Sequence, residues 1–157
     1  MNRKRQSATR RRKAPGGKVP TAPAPPSLPL DAATVAYLTR LAEALTELGS
    51  AQQAWTLQHE RLNQDAALLE DAGWRAGAQQ TMNAIVTAAA NLQIAPLPER
   101  AAPIGELMQE VSGHAQAMQA DYAAALLQGD AAAMRSLKNH SAKIFSCIRR
   151  AQKLVPR

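Results

Sequence analysis

The chain has 157 residues, 46% of them hydrophobic, and a net charge of +7, which suits one folded domain and argues against two. With two Trp, two Tyr and one Phe, any core must be built mainly from Leu, Ile, Val, Met and Ala. The single Cys147 excludes an internal disulfide, and the longest apolar run, residues 85–92, is far short of the roughly twenty residues a membrane span needs.

Charge is segregated along the chain. Residues 1–30 carry Arg3, Lys4, Arg5, Arg10, Arg11, Arg12, Lys13 and Lys18 and no acid. Residues 31–130 carry four basic groups against all twelve acids, a net −8, and residues 131–157 carry seven basic groups and no acid. No apolar stretch follows Arg10-Arg11-Arg12, so neither a secretory nor a twin-arginine signal is legible. The expected compartment is the cytoplasm.

Residues 1–30 contain Arg, Lys, Pro, Gly, Ser and Ala with almost nothing to bury, so the composition predicts a disordered basic tail. Its second half, from Pro20 to Pro29, favours extended polyproline geometry and predicts a semi-rigid spacer.

A helix is expected over about 32–70, with Asp31 as its N-cap. Leu38, Leu41, Leu45, Leu48, Gln52, Trp55, His59, Leu62, Ala66 and Leu69 alternate spacings of three and four, a stripe that meets a partner helix. Because that phase runs across Gly49-Ser50, one bent helix is favoured over two. At near 39 residues it would be about 58 Å long. Part of it should then overhang or meet another copy, so a homodimer or a partner helix is expected.

The second helix is expected over about 72–93, capped by Asp71, with Trp74, Ala78, Thr81, Ile85, Ala88 and Leu92 inward and Pro96 and Pro98 beyond its end. The third runs over about 103–128, with Pro103 in its first turn and Met108, Val111, Ala115, Met118, Tyr122 and Ala125 inward. Gly129-Asp130 reads as a stop followed by a new cap. The fourth helix, over about 130–155, places Met134, Leu137, Ser141, Ile144, Ile148, Ala151 and Val155 inside. No alternating Val/Ile/Thr-rich run marks a strand. The expected fold is all-α, an up-and-down antiparallel bundle of about four helices with a long first helix.

Lysines and arginines on a mobile arm attract phosphates by releasing condensed counterions, whatever the nucleotide sequence. The tail has no aromatic residue to stack on bases, so its expected binding is nonspecific. A tail that only solubilises is the competing reading. Helix four adds Arg135, Lys138, Lys143, Arg149, Arg150 and Lys153 on the side opposite its apolar stripe. Glu43, Glu47, Glu60, Glu106 and Glu110 on helices one and three offer those cations an alternative, intramolecular use.

Catalytic and metal signals are weak. No Glu-x-x-His pair suggests a carboxylate-bridged di-metal centre, and no phosphate loop or nucleophile elbow is present. His114 and Met118, one turn apart with Met108 near, suggest soft-metal ligands, but Met at helical spacing is ordinarily core. His59 reads as a hydrogen-bonded interior residue that sets register, and Cys147 as inert. The expectation is a non-enzymatic bundle with no cofactor, binding nucleic acid or another polyanion through its basic segments. A protein-interaction or assembly module tethered by the tail is the alternative.

Asp71-Ala-Gly-Trp74, Ile94-Ala-Pro96-Leu-Pro98 and Asp121-Tyr122 followed by Gly129-Asp130 make residues 35–155 resemble small uncharacterised bacterial helical-bundle proteins. The resemblance implies a fold and no activity. Such proteins often carry an N-terminal export or membrane segment, where this chain has its basic tail. The Ala/Gln-rich helices are also similar in style to those of phasins, which coat polyester granules.

Overall fold

The computed structural model describes residues 30–155; residues 1–29, with the predicted tail and its eight cations, and residues 156–157 lie outside the described part. Four helices follow one another: α1 (Ala32–Gln64), α2 (Ala72–Ala90), α3 (Ala102–Leu127) and α4 (Ala131–Leu154). Two short 3-10 turns, Ala66–Leu69 and Glu99–Ala101, sit in the connections, and no strand occurs among the described residues. Each helix packs on its neighbour in sequence, most extensively α3 on α4. Short connections between sequential neighbours give an up-and-down order.

Aspartates cap the starts of α1, α2 and α4, and Pro103 occupies the first turn of α3. Asp31 accepts from the Thr34 backbone N–H at 2.8 Å and from its hydroxyl at 2.9 Å. Those bonds hold the Asp31 carboxyl below its ordinary pKa. Asp71 accepts from Trp74 N–H, and Asp130 from the N–H groups of Ala132 and Ala133 at 2.7 and 3.2 Å. Gly129, at φ 66°, supplies the left-handed residue that lets α3 turn directly into α4. Asp130→Ala leaves those donors unpaired and should cost about 1 kcal/mol, read as a lower urea midpoint at unchanged slope.

The first helix is shorter than the sequence suggests. Asp65 leaves helical geometry at φ −141°, ψ 96° and turns its side chain onto Ala67 N–H, so α1 ends at Gln64 and the 3-10 turn begins. A capping aspartate therefore outweighs the continuing apolar spacing, and Ala66 is exposed rather than in a seam. The 33 residues of α1 span about 50 Å, and the helix passes through Gly49-Ser50 unbroken.

The core stripe of α1 is also rotated from the expected one. Its first half buries Thr34, Tyr37, Leu41, Ala44 and Leu48, with Leu38 and Leu45 half-buried at its flank. On α2 the interior gains Met82 and Ala89, while Trp74 and Thr81 are half-buried. All six expected inward residues of α3 are buried, together with Ile104, Leu107, Ser112 and Leu126. In α4, Leu137, Ile144 and Ala151 are buried as expected, Ala133 and Cys147 join them, and Val155 is exposed. No helix among the described residues is long and apolar enough to cross a membrane.

Candidate nucleic-acid interface and the polar interior

The basic row of α4 follows from helical geometry. At 3.6 residues per turn, Arg135, Lys138, Lys143, Arg149, Arg150 and Lys153 fall within an arc of about 140° opposite the buried stripe, along about 27 Å of axis. All six are exposed. Arg150 reaches Glu110 of α3 at 3.7 Å, with both side chains about half in solvent, where such a pair contributes little. Arg135, Lys138, Arg149 and Lys153 have no ion-pair partner among the described residues. Of the acids expected to neutralise this helix, Glu106 and Glu110 line a cleft with Arg150 and Lys153, whereas Glu43, Glu47 and Glu60 sit exposed on α1.

The bundle brings distant parts of the sequence to one end. Glu106, near the start of α3, borders one depression with Tyr37 of α1 and another with Arg150 and Lys153 of α4. The first turns of α1, where the basic N-terminal segment joins the bundle, therefore lie at the same end as the last cations of α4.

A second cluster lies between α3 and α4. His114 and His140, both half-buried, face each other with Nδ1 atoms 3.0 Å apart. A hydrogen bond at that distance requires one ring to donate its Nδ1–H and the other to present a lone pair. Burial, then the neighbouring His140 and Lys143, lower the His114 pKa, with Glu110 opposing. One level along, Cys147 donates its thiol to Glu110 at 3.3 Å. Burial and that carboxylate push the Cys147 pKa up, which keeps it a thiol. Met108 and Met118 are core residues, 0% and 2% exposed. Among the described residues, no three His, Cys, Asp or Glu side chains converge as a metal would need.

The opposite end holds a layer the sequence did not reveal. Trp55 and His59 of α1 lie against each other, tilted by 35°, with ring centroids 4.1 Å apart, and His59 meets Trp74 and Tyr122 in edge-to-face contacts at 6.2 and 6.1 Å. His59 Nδ1 lies 2.7 Å from the Trp55 carbonyl, which can only accept, so Nδ1 carries the proton and Nε2 presents a lone pair. That Nε2, both indole Nε1 atoms, Gln58 Oε1 and the Tyr122 hydroxyl are buried without a hydrogen-bond partner. Burial pushes the Tyr122 pKa up to about 12. The expected hydrogen bond of His59 is present, but half of its bonding capacity is unused. Spacing within α1 marked Trp55 and His59 as neighbours, whereas their meeting with Trp74 and Tyr122 depends on how three helices dock.

His59 makes the fold acid-sensitive. Burial disfavours its imidazolium and lowers the folded pKa below 6.5, against the weaker opposing effect of the Trp55 carbonyl. The unfolded chain then takes up the proton first, so this contribution to stability is complete above pH 6.5 and declines as pH falls through that value towards the folded pKa. His114 acts with the same sign. Urea midpoints measured from about pH 8 to about pH 5 should fall, and His59→Gln should flatten that decline.

No family model matches the chain, and no curated protein or solved structure matches it significantly.

Proposed function

We propose that this protein is a non-enzymatic helical bundle that binds nucleic acid, or another polyanion of similar charge density, without sequence preference. The carrying observation is the exposed cationic row of α4, whose Arg149, Arg150 and Lys153 lie at the end of the bundle where the segment with eight cations joins α1. Charges distributed in this way follow a phosphate backbone by counterion release and need no base contacts. The cytoplasm, where nucleic acid is available, fits a chain with one unpaired buried cysteine.

The deciding experiment compares DNA and RNA binding by the intact chain, a variant lacking residues 2–19, and the fourfold variant Arg135→Gln, Lys138→Gln, Arg149→Gln, Lys153→Gln over a range of salt. Unchanged affinity in the truncated variant, or a flat salt dependence in the intact protein, would exclude the reading.

An assembly module is the second reading, favoured by the apolar side chains α1 leaves in solvent, Val35 at 48% and Leu57 at 54% exposed. It predicts an oligomer by sedimentation that is indifferent to nucleic acid.

A further inference from the structure

The chain has two Trp, two Tyr and one Phe. Tyr37 and Tyr122 are buried, and Trp55 and Trp74 pack half-buried against the same core. Phe145 alone is turned outward, at 50% exposure, and it makes no ring contact among the described residues. Single exposed hydrophobics such as Val35 or Leu57 are ordinary, so what sets Phe145 apart is its place on α4.

Helical geometry puts that ring at the edge of the cationic row. At about 100° per residue, Phe145 stands about 40° around the axis from Arg149 and about 20° from Lys138, with Arg149 about 6 Å further along the helix and Lys138 about 10 Å back. Its exposed neighbours Ala142 and Ser146 are small, and residues 131–157 contain no acid to repel an anion. Glu110 of α3 pairs with Arg150, about 140° away from Phe145 around the axis. The ring is therefore bracketed by cations on a flank free of carboxylates from its own helix.

This combination suits a strand with unpaired bases. Such a base lays its π face on an aromatic ring while the phosphates to either side meet cations. A duplex keeps its bases stacked on one another, so its phosphates use the row but its bases do not reach the ring. An apolar protein partner fits less well, because the core of a protein interface is depleted of charge.

We infer that Phe145 is a base-stacking platform, and that Lys138, Phe145 and Arg149 together take single-stranded nucleic acid through a contact that a duplex cannot make. The inference rests on the polyanion reading and specifies its ligand. Stacking accepts every base, so strandedness matters at this surface and sequence does not.

The test measures binding of the full chain and of Phe145→Ala, Phe145→Leu and Phe145→Tyr to an oligothymidylate of about 15 nucleotides and to a duplex of the same length, over a range of salt. Phe145→Ala and Phe145→Leu should each weaken single-strand binding about tenfold and leave duplex affinity and both salt slopes unchanged. Leucine keeps apolar bulk, so loss in that variant isolates the ring, and Phe145→Tyr, which retains a ring, should bind like the parent. Single-strand affinity in Phe145→Ala equal to that of the parent, or an equal loss toward both ligands, would overturn the inference and leave salt-dependent duplex binding, and with it the polyanion reading, in place. A change of oligomeric state in Phe145→Ala, read by sedimentation, would assign the ring to a protein interface and overturn the inference as well. Failure of the parent chain to bind either ligand would remove the polyanion reading itself, and this inference with it.

Discussion

Truncation of residues 2–19 should remove most of the salt dependence of DNA binding. Duplex binding falls with a log–log slope of about −0.9 per neutralised phosphate, so full engagement of the eight tail cations contributes about −7, and Arg135, Lys138, Arg149 and Lys153 of α4 about −3.6. With both segments fully engaged the summed slope is about −11, so the intact chain should lose about 10⁶–10⁷ in affinity between roughly 50 and 200 mM salt. The truncated chain should lose roughly a hundredfold over the same interval, carried by α4 alone. Glutamine replacement of Arg135, Lys138, Arg149 and Lys153 in the intact chain should do the complementary thing, reducing the slope by about 4 while leaving the larger part in place. Filter binding or fluorescence anisotropy with two unrelated sequences checks both points, and equal affinities for the two sequences are expected because no aromatic side chain is available in the tail for stacking. A truncated chain with the parent slope would place the phosphate contacts elsewhere.

Large stability effects should come from the buried stripe of α1, and they separate its true core stripe from the one suggested by its leucines. Leu48 is 0% exposed and Tyr37 1%, whereas Leu38 is only half-buried. Leu48→Ala should cost about 2–5 kcal/mol, through lost burial and the cavity left behind. Tyr37→Ala should fall in or above that range, since a larger ring is removed. Leu38→Ala should cost less than half as much as Leu48→Ala, and Leu57→Ala, at 54% exposure, less than about 0.5 kcal/mol. Urea unfolding at constant slope gives the ranking directly. A cost at Leu38 equal to that at Leu48 would restore the leucine stripe and contradict the packing.

The rotated stripe shows where a pattern of hydrophobic spacing stops being sufficient. Leu38-Leu41-Leu45-Leu48 and Thr34-Tyr37-Leu41-Ala44-Leu48 both satisfy helical periodicity, and they share Leu41 and Leu48. Hydrophobicity alone favours the first. The structure uses the second because close packing places small Ala44 and the large flat ring of Tyr37 against the neighbouring helices. In α3 no such choice arose, since Met108, Val111, Ala115, Met118, Tyr122 and Ala125 form its dominant apolar row, and all six are buried.

Local chemistry was legible from the chain: aspartates at helix starts, Gly129 at the tight turn, the segregation of charge, and the exposed cations of α4 opposite its stripe. Each of these is set by residues within a few positions of one another, where helical geometry and capping bonds act. Three features required the fold. Asp65 had to be seen choosing a cap over a continued helix; His114 and Cys147 had to meet His140 and Glu110 across a helix pair. His59, Trp55, Trp74 and Tyr122 had to be gathered from three helices into one layer. Such meetings depend on the rotation and axial offset of packed helices, which side-chain volumes determine jointly, and no single stretch of sequence encodes them.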